Sequence, residues 1–218
     1  MRKHLVCWYS PQMQGATNES LASDPRLLDL SGNGRDLQLK GFDWTTSSVI
    51  TSSGGLQFDG HGSYGVCDIN YKLRDFTLVY RRGMLPFHTL TNPGKCFCRK
   101  GKAFRIENTS AARSLSNYAF SDNGLTEDRT MHGLFGSGLY VVTPNRIVQK
   151  DSGDIVQMKR GYGEDSVSDK LLIGSETETG NTLKFEMEYF MLFDRALNDE
   201  RLDWVITNLI NSNGKINN

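Results

Sequence analysis

Short runs of alternating or β-branched residues, each closed by glycine, asparagine or aspartate, fill this chain from Leu5 to Phe193. That pattern constrains the fold more than any other feature. Alternation places successive side chains on opposite faces, so each run can bury one face and solvate the other. The spacing predicts strands at Leu5–Tyr9, Leu37–Leu39, Gly55–Phe58, Ser63–Val66, Phe76–Arg82, His88–Thr91, Cys96–Arg99 and Ala103–Glu107. It predicts further strands at Leu115–Phe120, Thr130–Leu134, Gly138–Thr143, Arg146–Gln149, Ile155–Lys159, Leu171–Gly174 and Thr182–Phe193. Gly32-Asn33-Gly34, Asp59-Gly60, Asp122-Asn123-Gly124 and Ser152-Gly153-Asp154 supply turns between them. Many short strands of this kind pack as two antiparallel sheets, an all-β sandwich.

Two helical signals interrupt the pattern. Asn18–Ala22 reads as a short turn with Asn18 as its cap. After Phe193, Asn198 caps a helix whose first turn holds Asp199 and Glu200, both favourable at the positive end of the helix dipole. Leu202, Val205, Ile206, Leu209 and Ile210 then form one apolar stripe. A single short helix of this kind is expected to pack against an edge of the sandwich. The chain reads as one domain over residues 1–211, with residues 212–218 a polar tail.

Charge and cysteine usage narrow the function classes. The 218 residues carry 25 Lys plus Arg against 25 Asp plus Glu, which removes the electrostatic case for a nucleic-acid or anionic-membrane partner. A neutral chain is poorly protected against self-association, which suits a homo-oligomer or a part of an assembly. The basic start is followed by an apolar stretch, Leu5–Tyr9, too short for a secretory leader, and no run is long enough for a membrane span. The chain is thus expected to begin in the compartment of its synthesis. Cys7, Cys67, Cys96 and Cys98 read as structural thiols in a reducing compartment. Lys95, Arg99, Lys100, Lys102 and Arg105 form the one basic cluster, expected to be the solvated face of a hairpin.

Two segments go beyond generic β character. One is Asp29-Leu30-Ser31-Gly32-Asn33-Gly34-Arg35-Asp36-Leu37, followed by Gly55-Leu56-Gln57-Phe58-Asp59-Gly60. The other is Leu171-Leu172-Ile173-Gly174, then Phe185–Phe193, then Asp194-Arg195-Ala196-Leu197-Asn198-Asp199-Glu200. Together they resemble the laminin G-like, concanavalin A-like jelly-roll family. In that family a D-x-S-G-N-G turn precedes an early strand, and a last strand runs through R-A-L into a capped helix. Here Gly32 and Gly34 permit the tight turn and Asp29 or Asn33 can hold its amides. The resemblance implies a jelly-roll sandwich with a short C-terminal helix, and a role in binding glycans, proteins or calcium, or in structure. Trp8-Tyr9-Ser10-Pro11 with Gly15-Ala16-Thr17-Asn18 is similar to stand-alone domains of gut Bacteroidetes and their phages. That likeness implies a virion component made in the host cytoplasm, with a bacterial lectin-like module, cytoplasmic or at the cell surface, as the alternative.

Catalysis is the less favoured reading. A polysaccharide hydrolase on this fold needs paired carboxylates on one strand face. Glu186 and Glu188 have the spacing, but Met191 stands where the glucanase pattern E-x-D-x-x-E has its last acid. The expectation is a strand with Phe185, Met187, Tyr189, Met191 and Phe193 turned to the core and both glutamates turned to water. Glu176 and Glu178 lie in a polar turn, and neither a G-x-S-x-G elbow nor a phosphate-binding loop is present. For glycan stacking the candidates are Trp44, Tyr64, Tyr118 and Tyr162, and for a partner, Trp204, which falls off the apolar stripe of the last helix. No cofactor is expected; calcium could draw on Asp68 and Asn70, or on Asp122 and Asn123, though no dense acidic loop exists.

Overall fold

The last strand, β15 (Lys184–Phe193), organises one of two antiparallel sheets, because three other strands pair with it. The computed structural model describes residues 2–70, 72–73, 75–83, 95–101, 103–108, 117–118, 129–130, 138–144, 146–157, 168–175, 177–179 and 182–210. In chain order the described elements begin with β1 (Leu5–Tyr9), α1 (Pro11–Gln14), α2 (Asn18–Ser23), β2 (Arg26–Leu27), β3 (Leu37–Lys40) and β4 (Leu56–Asp59). They continue with β5 (Tyr64–Asp68), β6 (Thr77–Gly83), β7 (Lys95–Lys100), β8 (Phe104–Asn108), β9 (Asn117–Tyr118) and β10 (Arg129–Thr130). After β11 (Gly138–Thr143), β12 (Arg146–Gln149), β13 (Asp154–Gln157), β14 (Lys170–Ile173) and β15 come α3 (Asp199–Val205) and a π-helical turn, Ile206–Ile210. The seven-stranded sheet runs β1-β15-β6-β11-β12-β13, with β4 also on β15, and the six-stranded sheet runs β2-β3-β5-β14-β7-β8. Strands β9 and β10 form a small hairpin. The two-sheet sandwich with a short C-terminal helix is thus the architecture that the alternation predicts. The expected strand His88–Thr91 lies outside the described residues. Among the described residues no helix is long and apolar enough to cross a membrane.

Aromatic rings fill the space between the sheets. Phe58 and Phe185 stack at 4.3 Å, Phe97 meets Phe185 edge-on at 4.8 Å, and Tyr80 bridges Phe97 and Tyr140 at 4.5 and 5.3 Å. Phe97 belongs to the six-stranded sheet and the others to the seven-stranded one, so this ladder ties the layers together. Gly174 follows β14 at φ +86° with its α-carbon against the ladder; a side chain there would meet Phe58 Cδ1 at 2.6 Å.

A second apolar cluster lies on the outer face of the seven-stranded sheet. Leu5, Trp8, Val79, Leu139, Val141, Tyr189, Met191 and Phe193 are covered there by Leu202, Val205 and Leu209 of the C-terminal helix. The helix therefore packs on a sheet face, where the apolar stripe has a matching surface, and not on an edge as expected. Asn198 caps it as predicted, its side chain accepting from Arg201 N at 3.1 Å. The Thr77 hydroxyl fixes the preceding reversal, donating to Arg195 O and accepting from Leu197 N, each at 2.8 Å. At α2 the cap is Thr17, in a capping box with Ser20, and Asn18 instead accepts from Ile50 N at 2.7 Å.

Among the described residues three one-residue bulges break the simple alternation, one at Phe97 in β7 and two on the seven-stranded sheet. In β15, Met187 faces Arg82 but Tyr189 faces Arg81, so Glu188 is an extra residue. Phe185 and Met187 point into the sandwich, as do Phe190 and Leu192, whereas Tyr189, Met191 and Phe193 point to the outer face. The expectation that all five odd-numbered residues share one face is corrected by this slip. In β1 the register shifts between Leu5 and Cys7. Val6 and Cys7 then join the inner core, while Leu5 and Trp8 face outward.

The Asp29–Asp36 turn closes over the open edge of β1. Asp29 accepts from Trp8 N and Ser31 N at 3.0 Å and from Arg35 N at 3.1 Å. Asn33 Nδ2 donates to Leu5 O at 2.7 Å and Val6 O at 3.1 Å, and Arg35 Nη1 donates to Val6 O at 2.7 Å. The backbone carbonyls at the bulge are thus satisfied by side chains of the turn. Asp36 in turn accepts from Asp29 N at 2.9 Å and Arg26 at 3.0 Å. Cys7, Cys67 and Cys98 are buried thiols. Burial pushes the Cys67 thiol up to about 11, in keeping with a structural role. In the β7–β8 hairpin Lys100 is buried and Arg99 half-buried, which corrects the expectation of a solvated face for these two members of the basic cluster; the side chains of Lys95, Lys102 and Arg105 lie outside the described residues.

Replacing Asp29 by Ala leaves three amides without their acceptor. The expected loss is roughly 2–4 kcal/mol of unfolding free energy in urea titration. A loss below about 0.5 kcal/mol, the usual range for a surface substitution, would show that the turn is not a clamp.

Candidate functional site

The functional candidate arises where β15 changes partners. On one edge β15 pairs with β4 through Lys184–Met187 and with β1 through Phe190–Phe193, while β6 occupies the other edge. Glu188 and Tyr189 fall between the two edge partners, at the bulge. Here β1 leaves the sheet at Ser10, which caps α1 by accepting from Met13 N at 3.4 Å, with Pro11 at the first helical position. The result is a cleft of about 160 Å³ on the outer face, lined by residues of β1, α1, β6, β15 and the π-helical turn.

Its walls are of two kinds. Met13, Met191 and Ile210 are apolar, and Trp8 lies beside them, only 4% exposed. The Trp8 indole N–H has no acceptor among the described residues, which is costly for a buried donor and so worth an explanation. The polar side holds Ser10, Gln12, Arg81, Glu188 and the Tyr189 hydroxyl. Arg81 Nε donates to Tyr189 Oη at 3.4 Å and lies 4.0 Å from Glu188 Oε2, and Arg81 Nη2 lies 3.4 Å from Asp151 Oδ1. Burial raises the Glu188 carboxyl above its ordinary range; Arg81 works against that shift, and Glu186 and Asp151 add to it. Burial also raises the Tyr189 hydroxyl, again opposed by Arg81.

Glu186 sits beside this cleft in a different setting. It is 7% exposed, which corrects the expectation that it faces water. The Thr51 hydroxyl donates to Glu186 Oε1 at 2.6 Å, and the Ser53 hydroxyl also bonds it. Gly55 and Gly83 lie directly against the carboxylate; a Cβ at either position would strike its oxygens. Glu186 is therefore walled in, while Glu188, which the bulge displaces, is half-exposed.

The other candidates are scattered. Trp44, at φ 56°, stacks on Phe42 at 4.8 Å and packs against the inner core. Tyr64 lies on β5 of the six-stranded sheet, near Glu178 and Lys170, which pair with each other at 2.9 Å. Tyr118 is on β9; its side chain, like all of Tyr162, lies outside the described residues, as do Asp122, Asn123 and Glu176. Trp204, on α3, is 39% exposed. Among the described residues no group of three or more His, Cys, Asp or Glu could hold a metal ion. Reading the sequence for exposed aromatics missed Trp8, Ser10, Gln12, Arg81 and Tyr189. The available signal was charge inside apolar strands: Arg81 after Leu78-Val79-Tyr80, and Glu188 between Met187 and Tyr189.

No protein-family model matches the chain, and no curated protein matches it in sequence. Solved structures do match its fold. The binding domain of botulinum neurotoxin serotype D is similar over 95% of this chain and 52% of that one, at a TM-score of 0.62 and 9% identity. A structure of botulinum neurotoxin type C, titled for cell entry dependent on interaction with two ganglioside molecules, is similar over 95% and 52%, at 0.60 and 11%. A Trypanosoma rangeli sialidase is similar over 98% of this chain and 34% of that one, at 0.53 and 15%. The chain spans about half the length of the toxin domains it matches. Identities this low speak for the sandwich fold.

Glu188 gives the cleft a pH signature. Its folded carboxyl titrates above the unfolded one, so between the two values the folded protein holds a proton that the unfolded chain has released. Stability from this group is full below the ordinary glutamate value of about 4.3 and is lost as pH rises through the raised folded value. Glu188→Gln, which cannot titrate, should gain on the native protein in thermal midpoint as pH rises from about 4 to 7. A constant gap between the two midpoints would contradict the raised value.

Proposed function

We propose that the chain is a non-enzymatic, lectin-like binding module that takes a glycan at the cleft beside Glu188. The observation that carries this reading is the cleft's composition. The Trp8 ring, a half-exposed carboxylate and hydroxyls line it together with apolar side chains, all held by strands, a capped helix and its cap, or the π-helical turn. Lectin-like sites use such a mixture to fix sugar hydroxyls while covering a C–H face. The fold neighbours support it, since they include toxin binding domains and a sialidase. Against hydrolysis stands Glu186: a hydrolase needs both carboxylates open to the scissile bond, and Thr51, Ser53, Gly55 and Gly83 enclose this one.

A glycan array, followed by incubation of any retained oligosaccharide with the protein, tests the proposal. Retention without cleavage is expected. Cleavage abolished by Glu188→Gln or Glu186→Gln would establish the enzyme alternative, and retention of no glycan would overturn the binding reading.

The same proposal places the module in a larger assembly, the virion component implied by the phage-like resemblance, with Trp204 as its contact. Leu202 and Val205 of α3 are buried against the sheet, while Trp204 stands away from them at the surface. Its partner would be a second copy of the chain or another assembly protein. Trp204→Ala should reduce the mass measured in solution while leaving the melting temperature within a degree or two of the native value. Unchanged mass with a lowered melting point would assign Trp204 to folding.

A further inference from the structure

We infer that the cleft at the β15 bulge accepts one neutral sugar ring and discriminates against acidic sugars. This rests on the glycan-binding reading above and names the class of glycan.

Size gives the first limit. At about 160 Å³ the cleft is smaller than the roughly 300–1,000 Å³ of sites for drug-sized ligands, so it has room for a single ring and not for a chain of them. Longer oligosaccharides would place one residue in the cleft and leave the remainder in solvent.

Hydrogen-bonding chemistry gives the second. A hexose carries hydroxyls that both donate and accept, and a C–H face that is apolar. Trp8 lines the cleft with its ring, and the Glu188 carboxylate supplies an acceptor whose nearest cation, Arg81, is 4.0 Å away, beyond a hydrogen bond. Ser10 and Tyr189 add hydroxyls that can do either, and Met13, Met191 and Ile210 cover the C–H face. A ring that donates a hydroxyl to the half-exposed Glu188 while its C–H face lies on the apolar side chains uses both kinds of wall at once.

Charge gives the third, and it decides between sugar classes. Among the described residues Arg81 is the one guanidinium lining the cleft, and Asp151 at 3.4 Å and Glu188 at 4.0 Å already flank it. Glu186 stands close enough to Glu188 to raise its carboxyl. The neighbouring cations Arg146 and Lys150 are engaged by Asp199 and Asp203 of the C-terminal helix. An incoming carboxylate would thus meet Glu188 directly, with Asp151 and Glu186 close behind it around a single, compensated arginine, and like charges in a partly desolvated cleft reject it. A neutral ring meets no such penalty.

The test is titration calorimetry or ligand-observed NMR on the whole chain, with glucose, galactose and mannose as neutral probes and N-acetylneuraminic acid as the acidic one. At least one neutral probe should bind, with the acidic probe at least about tenfold weaker. Trp8→Phe and Glu188→Gln should each weaken the neutral probe by about tenfold. Glu188→Gln should also narrow the gap between neutral and acidic probes, which a purely structural effect would not do; melting curves of both variants check that they fold. Acidic sugar bound as tightly as neutral sugar would overturn the charge inference while leaving the module a glycan binder. Neutral binding unaffected by both variants would overturn the site. Failure of all four probes, with no glycan retained on the array, would remove the binding reading as well.

Discussion

The extra residue at Glu188 is the constraint on which the functional half of this molecule depends. β15 pairs with β6 along most of its length, and a strand of strict alternation there would keep Phe185 through Phe193 on one register. Inserting Glu188 moves Tyr189, Met191 and Phe193 to the outer face, where they meet the C-terminal helix. The same insertion falls where β4 has ended and β1 has not begun, so no edge strand covers it. One bulge therefore creates the apolar platform for the helix and opens the cleft beside it.

The β1 bulge is its counterpart, held from outside. There the Asp29–Asp36 turn supplies Asn33 and Arg35 to the carbonyls of Leu5 and Val6 and Asp29 to the amide of Trp8. Trp8 is thereby fixed at the backbone, which allows its indole to line the cleft on a rigid strand. The Asp29–Asp36 turn thus also orients one wall of the candidate site. The aromatic ladder from Phe58 to Tyr140 holds the sheets on the other side of the same strands.

How much of this was legible in the sequence follows from the range of each interaction. The strands Leu5–Tyr9, Gly138–Thr143 and Arg146–Gln149 have the predicted bounds, because alternation and turn residues are local signals. The Asn198 cap and the apolar stripe after it were legible for the same reason. The helix's docking face was not, since it depends on Met191 and Phe193 facing outward. A bulge changes register by one residue without altering composition or turn signals, so Glu186 and Glu188 read as a matched pair when their surroundings differ. Trp8 read as a strand residue and nothing more, because its unpaired N–H becomes visible only once its neighbours are placed.

The central claim, that ligand meets the protein at Trp8, can be tested by the indole N–H resonances of the chain's three tryptophans. In a titration of the ¹⁵N-labelled protein with a neutral oligosaccharide, the resonance missing from the Trp8→Phe spectrum should shift progressively and saturate. Those of Trp44, stacked on Phe42, and Trp204, on the far side of the last helix, should hold their positions. Movement of Trp44 or Trp204 with Trp8 unmoved would contradict the account and place the site elsewhere on the sandwich.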